Sequence, residues 1–204
     1  MGKYDDLLYY AQAYLQLAKL GCQELLDPHH NRTEEVPNWK MSYIVQLAGP
    51  IIYNTKHGIE CFLKMLQLIA GQDYDTIHHL HKLFAEVRKI FEGRKWQPLD
   101  DKGDTIDQEE IDRMPTVLQE IEDAVDYFYK NKIVDEKLGT GEIPDPKNEL
   151  FRYPKMQSGT TFDYTAFLGK LTNDDIKELR AKIGKLYGNL NDMGYFLAVS
   201  LRQP

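Results

Sequence analysis

Cysteine is scarce in this chain, with two residues, Cys22 and Cys61, among 204. Both fall inside helical patterns, which favours buried free thiols in a reducing compartment over a disulfide framework. Long apolar runs are missing as well. None approaches the roughly 18 residues that a membrane span requires. The N-terminal MGKYDDLLYY places acids where a signal peptide needs a cationic and then an apolar segment, and Asp6 stands where a myristoylation motif wants Ser or Thr. The expectation is a cytoplasmic protein with no membrane association. Nor is there a Gly-rich phosphate loop, a G-x-S-x-G elbow or a C-x-x-C pair, and no cofactor is expected. Strand alternation of useful length and repeats of fixed period are absent too. A β-sandwich, a doubly wound sheet and a solenoid are all disfavoured.

The charge that is present is unevenly spread. The net charge of -7 arises between Pro98 and Asp126, where eleven acids meet two bases, and the rest of the chain is slightly positive. Such a distribution argues against a broad nucleic-acid surface but is compatible with a local basic groove. A length of 204 residues suits one domain.

Apolar periodicity defines the architecture. The stretch Met41 to Gly71 is apolar around most of its circumference, along one stripe through Ile44, Ala48, Ile51, Thr55, Gly58, Phe62 and Ile69 and a second through Met41, Val45, Ile52, Ile59 and Leu63. A helix with two apolar stripes must be covered from more than one side, so it is expected at the centre, with a candidate bend at Gly49-Pro50. Tyr4, Leu7, Ala11, Tyr14, Ala18, Gly21 and Leu25 form a single stripe whose small members permit close helix approach. Leu80 to Phe91 and Leu118 to Phe128 give two further helices, the second placed from Pro115 at its first turn, with Asp75 or Thr76 as a cap for the first. Thr172 followed by acids opens the most regular pattern, Ile176 to Leu197. His29–Lys40, the acidic Pro98–Glu110 and the long Lys132–Leu171 stretch read as loops. The expected fold is all-α: an up-and-down bundle of about five helices, near 3–26, 41–71, 79–92, 115–131 and 173–200, with a long irregular loop before the last helix.

Candidate chemistry is concentrated on one face of the central helix. Asn54, His57, Glu60, Cys61 and Lys64 recur at helical spacing. Two readings stand side by side: a solvent face with a Glu60–Lys64 pair at i, i+4, or a polar cleft between helices. His78, His79 and His81 lack the i, i+4 spacing of helical zinc ligands, and the acidic loop puts Leu99 and Asp104 where a calcium loop needs a ligand and a glycine, so no metal is expected.

The run His57-Gly-Ile-Glu60-Cys-Phe-Leu63-Lys64-Met-Leu66, followed after a turn by His78-His79-Leu80-His81-Lys82-Leu83, resembles the core of the HEPN family. The match covers about thirty residues directly, and its motifs are degenerate. The resemblance implies a single helical domain over 1–204 in which Glu60–Lys64 is a recurrent pair and His78 packs or caps at the turn. It further implies a homodimer, links to RNA or nucleotide binding, and a setting of toxin–antitoxin systems or phage defence, with a nucleotidyltransferase or antitoxin as partner. The chain departs from the family's ribonucleases, which carry Arg and then His four to six residues later. The nearest candidate, Arg152, is followed by Gln157, Ser158 and Gly159 at the histidine positions. A binding domain without catalysis is therefore expected, with a protein-interaction module or a divergent ribonuclease as the alternatives. Arg152 and Tyr153, which Pro154 holds extended, are expected either to tether the loop to the acidic segment or to fold over Asn54 and His57 as an anion pocket.

Overall fold

The computed structural model describes residues 3–27, 37–73, 76–101, 104–147, 150–151 and 163–200. Its elements in chain order are α1 (Lys3–Leu26), α2 (Pro37–Ile69), α3 (Leu80–Glu92), a small antiparallel hairpin β1 (Leu99–Asp101) and β2 (Asp104–Ile106), α4 (Gln108–Tyr129), α5 (Lys132–Leu138), α6 (Tyr164–Lys170) and α7 (Asn173–Ser200). The fold is an all-α bundle.

α2 is the central element, in contact with α1, α3, α4, α6 and α7. Ile51, Ile52, Ile59, Phe62, Leu63, Met65 and Leu66 are all buried, so both apolar stripes are covered from Ile51 to Leu66, where their side chains are described. The small residues of α1 act as expected. Ala11 and Ala18 are fully buried, and a Cβ on Gly21 would meet Ile51 Cγ1 at 2.7 Å. Across the same seam, a Cβ on Gly58 would lie 2.7 Å from Leu15 Cγ and 3.2 Å from the Ala11 carbonyl. Backbones this close leave no room for a methyl group, so the glycine is required by packing. α1 and α2 thus run antiparallel. α4 and α7 do likewise, through Arg113–Asp192 and Glu120–Lys185.

Several boundaries differ from the sequence reading, each for a local reason. α2 starts at Pro37, in keeping with proline's suitability for a first helical turn, so the connector is shorter than His29–Lys40. It continues as one helix through Gly49-Pro50, where Gly49 leaves space for the Tyr164 hydroxyl of α6. α4 starts at Gln108 rather than Pro115. Asp107 accepts from the Glu110 N–H at 2.8 Å while Glu110 accepts from the Asp107 N–H at 3.1 Å, a capping box that turns an acidic loop into a helix start. α3 is preceded by His79, which makes no side-chain cap; Thr76 lies too early, and Asp75 is outside the described residues. The stretch 132–171 carries α5 and α6, each of seven residues, too short to show a periodic stripe. α7 begins as expected: the Asp175 N–H donates to Thr172 Oγ1 and the Thr172 N–H to Asp175.

Candidate functional site

Glu60 is where the polar face of α2 converges. Its side chain is only 4% exposed, yet it is ionised and well partnered. Lys64 Nζ, one turn on, donates to Oε1 at 2.7 Å, and His78 Nδ1 reaches the same oxygen at 2.8 Å. The chain doubles back after α2, which brings His78 level with Glu60 rather than with the helix end. His57 Nδ1 faces Oε2 at 3.6 Å, long for a hydrogen bond and closer to a charge contact when the ring is protonated. Burial pushes the carboxyl pKa up. The His57 and Lys64 contacts and the charge of His78 outweigh it and hold the group down at about 2.

The face is therefore not solvated at its base, because Glu60, Cys61 and Lys64 are all buried. Cys61 is held as a thiol, its pKa pushed up to about 11 by burial and then by Glu60. Only the upper part of the face opens outward. Asn54 is half-buried, and the His57 ring remains 28% exposed. Tyr53 lies nearly parallel to that ring, 11° between planes with centroids 5.8 Å apart, and Tyr14 of α1 meets it edge-on at 4.6 Å. Burial raises the Tyr14 phenol, with Tyr53 next in effect. An imidazole flanked by two phenol rings thus sits above a buried ion-pair cluster. Neither Tyr14 nor Tyr53 was singled out from the sequence. Tyr53 stands four residues before His57, a spacing that could have revealed it.

A second buried pair was not singled out from the sequence. Lys56 Nζ donates to Asp145 at 2.6 Å, with the two side chains 1% and 0% exposed. Asp145 also accepts from the Leu150 N–H at 3.0 Å, and its own N–H donates to the Tyr129 carbonyl. The Lys56 ammonium lies 5.7 Å from the centroid of the Phe151 ring. Burial drives the Lys56 pKa down, opposed by Asp145. This pair fastens Asp145, and with it Leu150 and Phe151, to α2. Near it, Tyr129 bonds His79 Nε2 through its hydroxyl at 2.9 Å and stacks on His81, whose Nε2 faces Asp126 at 3.3 Å.

The structure thus brings His57, Glu60 and Lys64 into one cluster, with Asn54 a turn away on the same helix. Arg152 and Tyr153 lie outside the described residues. Among the described residues no group of three or more His, Cys, Asp or Glu side chains is arranged to hold a metal ion, and no helix is long and apolar enough to cross a membrane. Chemically, Glu60 stays charged at neutral pH and has no proton to donate, so the cluster's accessible groups are rings rather than an acid.

Fold and site together define a helical bundle whose central helix carries a buried carboxylate–ammonium–imidazole cluster beneath an aromatic rim. Comparison with protein-family models, with curated proteins and with solved structures finds no match to this chain.

Proposed function

We propose that this chain is a HEPN-like, non-catalytic domain that binds a base-bearing ligand, single-stranded RNA or a nucleotide, at the aromatic rim of α2. The observation that supports this reading most is the half-buried His57 ring, 28% exposed, between Tyr14 and Tyr53. Flat π-faces held by a rigid helix suit base stacking, which contributes about 1–3 kcal/mol per base and tolerates any sequence. Lys64 is committed to Glu60, so rings rather than ammonium groups carry the recognition, and binding should depend only shallowly on salt. The Arg-to-His spacing of the family's ribonucleases is missing, which supports binding without cleavage. The resemblance also carries a homodimer and a nucleotidyltransferase or antitoxin partner in a toxin–antitoxin or phage-defence setting, and the free, buried Cys22 and Cys61 support a cytoplasmic location. Sedimentation over a concentration series tests the dimer.

The test of function is fluorescence anisotropy with a labelled oligouridine. Tyr53→Ala and His57→Ala should each weaken binding about tenfold, with helicity retained and the protein fully folded at the assay temperature. Equal affinity for the wild type and both variants would overturn the proposal. Cleavage of the oligonucleotide in chelator, abolished by His57→Ala, would instead establish the divergent-ribonuclease alternative.

A further inference from the structure

At the base of the polar face of α2 the side chains bond one another, while at its open end two of them do not. Lys64 and His78 both meet Glu60 Oε1, and His57 Nδ1 is turned toward Oε2 at 3.6 Å. The other ring nitrogen of His57, Nε2, makes no hydrogen bond to a described residue, and neither does the amide of Asn54. Both side chains are partly open to solvent.

The carboxylate decides which nitrogen of the neutral imidazole carries the hydrogen. With Nδ1 bare, its lone pair would face the negative charge of Glu60; with Nδ1 protonated, an N–H faces it instead. Glu60 is held in place by Lys64 and His78, so the neutral ring carries its hydrogen on Nδ1. The two nitrogens point to roughly opposite sides of the ring, which leaves Nε2 as a bare acceptor turned away from the buried cluster. Stacking alone is indifferent to which base is bound, but an acceptor of fixed direction is not. Tyr53 lies within 11° of parallel to the His57 ring. A base stacked on Tyr53 is then nearly parallel to the imidazole and can meet Nε2 edge to edge, the in-plane approach that a ring-nitrogen lone pair needs. Uracil and guanine present a ring N–H at the centre of their Watson–Crick edge, whereas cytosine and adenine present a lone pair there. Asn54, three residues before His57 on the same face, offers both a donor and an acceptor to a flanking group of the base. We propose that the rim selects uracil and guanine over cytosine and adenine, with His57 Nε2 as the acceptor and Glu60 as the positioning residue that keeps it one. This inference rests on the base-binding reading and adds the identity of the base to it.

Nitrogen NMR of the isotope-labelled full chain at about pH 8 reads the tautomer directly, with His57 assigned by its loss in His57→Gln. The wild type should show Nδ1 protonated and Nε2 bare. Glu60→Gln, whose amide N–H can donate to Nδ1, should move the hydrogen to Nε2. In fluorescence anisotropy the wild type should bind labelled oligouridine about tenfold more tightly than oligocytidine, or than oligouridine methylated at the ring nitrogen. Glu60→Gln should lose that preference at a temperature where circular dichroism shows it folded. His57→Phe keeps an aromatic face but removes the acceptor, and should bind oligouridine and oligocytidine alike. Nε2 protonated in the wild type would overturn the proposal. So would equal affinity of the wild type for oligouridine and oligocytidine, which would leave base stacking standing. Binding of no oligonucleotide would instead overturn the base-binding reading, and this inference with it.

Discussion

Replacing Glu60 by Gln tests the buried cluster, because its effect should change with pH in a way that cavity or packing damage would not. Gln keeps the size and an acceptor for Lys64 and His78 but removes the charge. In the folded protein the Glu60 carboxyl titrates at about 2, against 4.5 for the ordinary side chain. A lowered folded-state pKa means that the stabilisation is fully present above the unfolded value and is lost as pH falls through the folded one. A depression of that size corresponds to about 3 kcal/mol at pH 7. By pH 3 the unfolded chain is mostly protonated at this position while the folded one is not, and about 1.5 kcal/mol should remain. Urea unfolding of the wild type and Glu60→Gln at both pH values, followed by circular dichroism, gives the difference directly. Other carboxylates titrate equally in both proteins and cancel. A cost below about 1 kcal/mol at pH 7, or the same cost at pH 3 and pH 7, would refute the reading of Glu60 as a charge held by its neighbours.

Other expectations follow from burial. Phe62, fully buried and edge-on to Tyr187, should cost about 3–5 kcal/mol when cut to Ala, measured by the same unfolding assay. Asp145→Asn should cost about 3–5 kcal/mol, since it leaves the Lys56 ammonium buried without its counter-charge; Lys56→Met/Asp145→Asn should recover much of that loss in a double-mutant cycle. Cys22 and Cys61, whose thiols burial pushes to about 12 and about 11, should not react with a thiol-directed disulfide reagent at pH 8 until denaturant is added; labelling of the folded protein within minutes would show one of them exposed.

The long helices were legible because each buries a periodic face. α1 and α7 show one stripe each and α2 two, and in all three the periodic residues whose side chains are described are buried or half-buried. The Glu60–Lys64 pair was legible for the same reason, being an i, i+4 contact within one helix. Its burial was not, since local spacing says nothing of what covers a face, and the solvent-face and cleft readings differ only there. The His78–Glu60 bond depends on the chain doubling back after α2, and the Lys56–Asp145 bond joins residues 89 apart in sequence. Lys56, on the same helix face as the apolar Ile52, Ile59 and Leu63, was the one available hint. The start of α4 was visible in Asp107 and Glu110 but was masked by the density of acids around them, which resembled a solvated loop. α5 and α6 were too short to announce themselves by periodicity.

The central claim, that the rim formed by Tyr14, Tyr53 and His57 stacks a base, is tested most directly by proton–carbon NMR of the six histidine rings during titration with oligouridine. The resonance that disappears in His57→Gln identifies His57. The account predicts that this resonance shifts progressively as the bases enter, that the buried-cluster neighbour His78 follows weakly, and that Tyr53→Ala removes the effect. Saturating oligonucleotide that leaves the His57 ring unmoved, or that moves a different histidine instead, would contradict it.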